Sequence, residues 1–371
     1  MKRGLFLLAV GLYLVSATVF GQGKFSGYMF GDYYYNVARD SSFNHTPPGS
    51  AASTGSAPGA KSMQAFQIRR IYFAYDNDIS EQFTTRFRLE ADQAATPGGA
   101  VTGDELVGGK VSTFVKDAYL TWKNIFSGSN LTIGLQPTAA YDISEAAWGY
   151  RFLEKTIMDL RGIVPSRDLG LSLKGKLVGD GMVNYWLLVA NGNGNNPEND
   201  KYKRYSANLQ LKPITNFQAT VYVDYKDAAS KVVAGSLKSN STMIEALFLN
   251  YGVPFMYNFG FEGYMSSQSN QYTPPGGSLG SLSGRGISLW GSYNLVPELA
   301  VVLRYDNYDP NTDSNAKGDA RDYIIAGLSW KADKNVSISP NILYETYQAP
   351  AVGSTPDASL TARLTFYYIF L

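Results

Sequence analysis

From Lys24 onward, apolar and polar residues alternate one for one in short segments. In FTTRFRLEAD, Phe83, Thr85, Phe87 and Leu89 fall on one side and Thr84, Arg86, Arg88, Glu90 and Asp92 on the other. RYSANLQLK sets Tyr205, Ala207, Leu209 and Leu211 against Arg204, Ser206, Asn208, Gln210 and Lys212. NFQATVYVDYK repeats the pattern with Phe217, Ala219, Val221, Val223 and Tyr225, and SLTARLTFYYIFL with Leu360, Ala362, Leu364, Phe366, Tyr368 and Phe370. A period of two is the signature of a β-strand, whose side chains point alternately to opposite faces.

Sixteen such segments are predicted, at about 24–37, 64–78, 83–92, 112–123, 130–137, 168–178, 182–191, 202–213, 216–226, 239–252, 256–266, 285–295, 298–308, 321–332, 335–346 and 359–371. The connectors alternate between tight turns, such as GDG at Gly179 to Gly181, and longer stretches rich in Gly, Pro, Ser and Asn. Short turns at one end and long loops at the other are the rhythm of an antiparallel membrane barrel. A β-sandwich would show the same alternation. Charged residues recurring inside strands favour the barrel, because they need a face that is wet along its whole length. The expected fold is therefore all-β, a transmembrane antiparallel barrel of about sixteen strands, wide enough to leave an aqueous channel. An even count puts both ends of the chain on the periplasmic side.

Composition agrees. Among 371 residues there are 27 Tyr, 19 Phe and 37 Gly, and only 17% are charged. With no Cys there is neither a disulfide scaffold nor a Cys-ligated metal. The leading MKRGLFLLAVGLYLVSATVFGQG places Lys2 and Arg3 before an apolar run and then small residues, the layout of an export signal. Residues 1–21 are expected to be a signal peptide, cut after Gly21 or Ala17, and 22–371 the barrel domain. A single membrane anchor is the alternative, weakened by the short run and the lack of stop-transfer charges. The formal charge of +1 becomes −1 without Lys2 and Arg3, so charge does not point to nucleic acid.

The connector 138–167, TAAYDISEAAWGYRFLEKTIMDLRGIVPSR, carries its own apolar residues, among them Trp148, Leu153, Ile157, Met158 and Leu160, with a helical period over 144–160. A loop with an apolar face needs something to pack on. As the third external loop it is expected to fold into the barrel, narrowing the pore and bringing Arg151, Lys155, Arg161 and Arg167 to the throat. A loop capping the outside or packing on a neighbouring subunit is the alternative.

RRIYFAYDNDI, TTRFRLEAD, KDAYLTW, LTIGLQP and VPSRDLGLSLKGKL, in that order, resemble the phosphate-selective porin O and P family of Gram-negative outer membranes. The resemblance implies an outer-membrane location, a sixteen-stranded and usually trimeric barrel, an inward third loop and a lumen lined by arginines that pass anions. The family's arginine pair matches Arg69 and Arg70, followed by Tyr72. Its Asp-Ala-Tyr acid matches Asp117, and its P-x-R-D-x-G matches Pro165, Arg167, Asp168 and Gly170. Further implied partners are outer-membrane lipid, lipopolysaccharide and the barrel-assembly machinery.

Strand parity adds inward bases: one of Arg69 and Arg70, then Arg86, Arg88, Lys174, Lys176, Arg204, Lys212, Lys226, Arg304 and Arg363. Against them stand Glu90, Asp92, Asp117, Asp168, Asp224, Glu245, Glu262, Asp306 and Glu345. So balanced a wall holds no strong uniform potential over a Debye length of about 8 to 10 Å. Anion preference then rests on local clusters, with Arg69, Arg70, Tyr72, Arg86, Arg88, Asp117, Arg151, Arg161, Arg167, Lys174, Arg204, Arg304 and Arg363 as the pore-lining or anion-binding candidates. The alternative is that these arginines are consumed in salt bridges along the wall.

Catalysis is disfavoured, because His45 is the sole histidine and lies in a Pro/Ser/Gly-rich loop. DPNTDSNAKGDA lacks the Gly and Glu of a calcium loop. No cofactor or metal is expected. The reading is a channel for small anionic or neutral hydrophilic solutes. Its alternatives are a non-conducting surface adhesin and a channel specific for sugars or polyphosphate.

Overall fold

A computed structural model of the chain describes residues 23–41, 59–92, 111–233, 236–273 and 277–371. The expected signal peptide and His45 lie outside the described residues. The first strands are β1 (Lys24–Ala38), β2 (Gln64–Asp78), β3 (Phe83–Asp92), β4 (Ser112–Phe126), β5 (Ser129–Pro137), β6 (Arg167–Val178) and β7 (Val183–Ala190). They are followed by β8 (Arg204–Leu211), β9 (Phe217–Lys226), β10 (Lys231–Val233), β11 (Ser236–Lys238), β12 (Thr242–Val253) and β13 (Tyr257–Tyr272). The last are β14 (Gly280–Val296), β15 (Leu299–Asp309), β16 (Arg321–Asp333), β17 (Val336–Tyr347) and β18 (Ser359–Ile369). Two short helices, α1 (Asp142–Trp148) and α2 (Ile157–Leu160), lie between β5 and β6.

All strands except β10 and β11 form one closed antiparallel barrel, each pairing with its neighbour in the chain, and β1 closes on β18 from Tyr28↔Ile369 to Ala38↔Leu360. Closure leaves no edge, so backbone groups along the sheet are satisfied without water, as a bilayer demands. The predicted alternation separates two faces. On β9, Val221, Val223 and Tyr225 are exposed, whereas Thr220, Tyr222 and Asp224 are buried. The exposed set looks outward. Trp122, Tyr225, Tyr251, Tyr293, Tyr305 and Trp330 all belong to it, as interfacial aromatics should.

Three expectations change. First, Arg69 and Arg70 both turn inward. Phe30 pairs with Arg70 but Gly31 pairs with Ile68, so Arg69 is the extra residue of a β-bulge. A second bulge on β4 does the same for Lys116 and Asp117, since Arg88 pairs with Asp117 and Leu89 with Val115. Second, Glu245 faces out with Met243 and Leu247 rather than in. Parity was ambiguous there because Ile244 and Phe248, on the inner face, are apolar too. Third, the helical period over 144–160 resolves into two helices, broken at Gly149, whose φ of 71° closes α1 in the left-handed region. The β10–β11 hairpin was not expected, and three-residue strands are too short to show a period.

Candidate functional site

The segment between β5 and β6 meets wall side chains round most of the barrel. Tyr141, Ile157, Met158 and Val164 pack with Trp186, Tyr222, Ile244, Tyr264 and Tyr308. Trp148 and Leu153 pack with Phe248, Trp290 and Val302, and Leu160 with Tyr323, Ile325 and Leu343. These wall residues come from β7, β9 and β12 to β17, and they account for the apolar positions on the inner face of those strands. Inside the segment, the Tyr141 hydroxyl donates to the Val164 carbonyl at 3.0 Å and Trp148 Nε1 to the Glu154 carbonyl at 2.9 Å.

Arginines pin its tip. Arg69 donates to the carbonyls of Phe152 and Leu153, Arg363 to that of Leu153 at 2.5 Å and Arg304 to that of Lys155. Each is also neutralised: Arg69 Nε lies 2.7 Å from Asp32, Arg304 grips Asp306, and Arg363 is 3.7 Å from both Asp32 and Glu154. Arg161 is buried against Glu345 at 2.7 Å and covers the rings of Tyr308 and Tyr323. Arg204 bonds Asp224 at 2.9 Å. Arg69, Arg161, Arg204, Arg304 and Arg363 are therefore buried, and the expectation that they line an open pore is corrected. A guanidinium forced out of water inside the barrel takes a carboxylate or a carbonyl as partner.

The wall of β3 to β6 contributes nothing to those apolar clusters, and a small cavity separates part of it from α1. Here Glu90 is shared by Arg70 at 2.7 Å and Lys116 at 2.8 Å, and Arg70 also reaches Asp92 at 2.8 Å. Arg86 lies 2.9 Å from Asp76. Asp117 is fully buried between Arg88, at 3.4 Å, and Arg167, the first residue of β6. Arg88 also sits over the ring of Tyr72, itself buried. Lys174 is exposed, 4.0 Å from Asp142, with its ammonium over Trp186. Across from this wall, Arg151 binds Glu145 at 2.6 Å and Asp159 at 3.3 Å.

Two cavities flank α1. One of about 190 Å³ lies between α1 and the β3–β6 wall, lined by Arg88, Tyr141, Asp142, Glu145, Ser166 and Arg167. The other, of about 460 Å³, lies toward the turns at Pro254 and Pro297 and is bounded by Trp148, Tyr150 and Phe152. Within the connector, burial lifts the Glu145 carboxyl above the ordinary range despite Arg151. Burial also opposes ionisation of Asp159 and Glu154, but Lys155 with Arg151 and Arg363 with Arg69, respectively, outweigh it and hold both below the ordinary range.

Sequence reasoning named Arg88, Asp117 and Arg167 as separate candidates, and the structure brings them together. It missed Asp32 and Lys116. Asp32 was legible, since it shares parity with Tyr28 and Tyr34 on β1. Lys116 was not, because a bulge breaks the count.

No protein-family model matches the chain, and no curated protein matches its sequence. Solved structures do resemble it. The outer-membrane channel DcaP of Acinetobacter baumannii has a TM-score of 0.63 at 13% identity, covering 95% of this chain and 98% of that one. An anion-selective porin from Comamonas acidovorans has a TM-score of 0.61 at 11% identity, covering 94% and 100%. OmpT of Vibrio cholerae, in a trimer form, has a TM-score of 0.59 at 10% identity, covering 94% and 99%. At such identities the likeness shows the fold alone: a closed sixteen-stranded antiparallel barrel of the kind found in outer-membrane porins.

Proposed function

We propose that the protein is an outer-membrane porin, exported by its leading segment, through which small hydrophilic solutes diffuse passively along the β3–β6 wall. The connector across the lumen sets the size limit. The observation that carries this reading is the two-faced closed barrel, apolar outside and ionised inside, with the apolar clusters of the connector absent from the β3–β6 wall. Selectivity is mildly for anions, because at that wall two guanidiniums, Arg88 and Arg167, share the single carboxylate of Asp117. Arginine suits phosphate and carboxylate, since its planar fork makes paired bonds. The arrangement is weaker than the arginine ladder expected of a phosphate-selective channel, because most other arginines already have partners. A homotrimer in contact with lipopolysaccharide completes the proposal, and the trimer form of the Vibrio cholerae neighbour supports that assembly.

The test is the reversal potential of the refolded protein in a planar bilayer under a KCl gradient. An anion-side potential that shrinks in Arg88→Gln is expected. A potential at zero would reduce the proposal to an unselective porin, and the absence of any current would favour a surface adhesin.

A further inference from the structure

The small cavity beside α1 carries charge of both signs on opposite sides. On the wall side, Arg88 and Arg167 have one carboxylate between them, which leaves one positive charge over. On the α1 side, Glu145 is held by Arg151 at 2.6 Å, but Asp142 has only Lys174, at 4.0 Å. That contact is at the outer limit of an ion pair, between side chains 45% and 57% exposed. Asp142 therefore presents a weakly neutralised negative charge to the same space that receives the spare guanidinium charge. Tyr141 and Ser166 close the remaining sides, and the volume is about 190 Å³.

We propose that this cavity is a binding site for small zwitterions, of which an α-amino acid is the simplest, with the carboxylate toward Arg88 and Arg167 and the ammonium toward Asp142. The inference rests on the channel reading and narrows its solute class. A solute with only a carboxylate would meet Arg88 and Arg167 but be repelled by Asp142. One with only an ammonium would meet Asp142 but be repelled by the arginines. Opposed charges thus select by repulsion as well as by attraction. The cavity is narrower than a Debye length at moderate salt, so screening reduces this selection without removing it. Lys174 competes with the ammonium for Asp142 and tunes the site.

The experiment compares three small probes, alanine with both charges, propionate with the carboxylate alone and ethylammonium with the ammonium alone, as blockers of the KCl current through the refolded protein. Alanine should block most strongly. Asp142→Asn should weaken the alanine block about three- to fivefold, the range expected for a half-exposed ion pair, while leaving propionate unchanged or stronger. Lys174→Gln should raise the ratio of alanine to propionate block. Propionate blocking as well as alanine, or Asp142→Asn weakening both equally, would overturn the proposal. If no current passes at all, the channel reading fails separately. Equilibrium dialysis of alanine against propionate then decides the site by the same criterion.

Discussion

Arg363 on the last barrel strand donates to the carbonyl of Leu153, 210 residues away in the chain, at 2.5 Å. The same guanidinium lies 3.7 Å from Asp32 on β1 and 3.7 Å from Glu154 in the connector. One side chain therefore joins the seam where the barrel closes to the connector between β5 and β6.

Replacing Arg363 by Ala takes one guanidinium from two buried carboxylates, Asp32 and Glu154, and one of the three arginine anchors from the connector. A loss of about 3–5 kcal/mol is expected for breaking a buried pair on one side. Denaturant unfolding measures that loss. Single-channel conductance should rise as the connector loosens, whereas a merely structural defect would lower the number of channels without changing their size.

The bulge at Arg69 makes an unusual deletion tolerable. Removing Arg69 restores regular alternation along β2, with Ile68 and Ile71 out and Arg70 and Tyr72 in. Combined with Asp32→Asn, which removes the acid Arg69 neutralises, the deletion should still yield a folded, heat-resistant barrel. Deleting Ile71 instead reverses one half of the strand and should abolish assembly.

Acidification should increase anion preference. Of the connector acids Glu145, Asp159 and Glu154, Glu145 is the one whose carboxyl burial lifts, so it takes up a proton before Asp159 and Glu154, which their basic neighbours hold low. Arg151 then loses part of its neutralisation facing the β3–β6 wall. The shift begins above the ordinary glutamate range of about 4.3. Stability follows the sign of each group. Ionising Glu145 disfavours the fold, so its part falls as pH rises from the ordinary value through the raised one. Glu154 contributes stability above the ordinary value, which is lost as pH drops through its lower folded value. Reversal potentials across pH report the first effect, and Glu145→Gln should imitate it at neutral pH.

Glu245 sits on the outer face near the start of β12, in register with Met265 on β13. Glu245→Leu should therefore leave ion selectivity unchanged and alter stability by no more than about 1 kcal/mol, as for a charge near the membrane interface. A change in reversal potential as large as that of Arg88→Gln would place Glu245 in the lumen after all.

How legible this was in the sequence depended on what each inner face touches. Where the inner face is polar, as on β3 and β8, alternation is clean, and the strand bounds and facing of Arg86, Arg88 and Arg204 could be read directly. Where it meets the connector, as on β12 at Ile244 and Phe248, both faces are apolar and parity fails, which misplaced Glu245. Bulges are invisible to a period of two, so Arg69 with Arg70 and Lys116 with Asp117 each look as though one member must point outward. The candidate arginines were found by residue type and face. Their burial was not legible, because it depends on which wall the connector covers.

The most direct test of a water-filled path along β3 to β6 exploits the absence of native cysteine. Thr121 on β4 faces inward, its hydroxyl 2.9 Å from that of Thr132, while Leu120 beside it is exposed on the outer face. In a planar bilayer, a charged, membrane-impermeant thiol reagent should reduce the current through Thr121→Cys and leave Leu120→Cys untouched. Block at Leu120→Cys with none at Thr121→Cys, or a barrel that passes no current in either variant or in the native protein, would contradict the account.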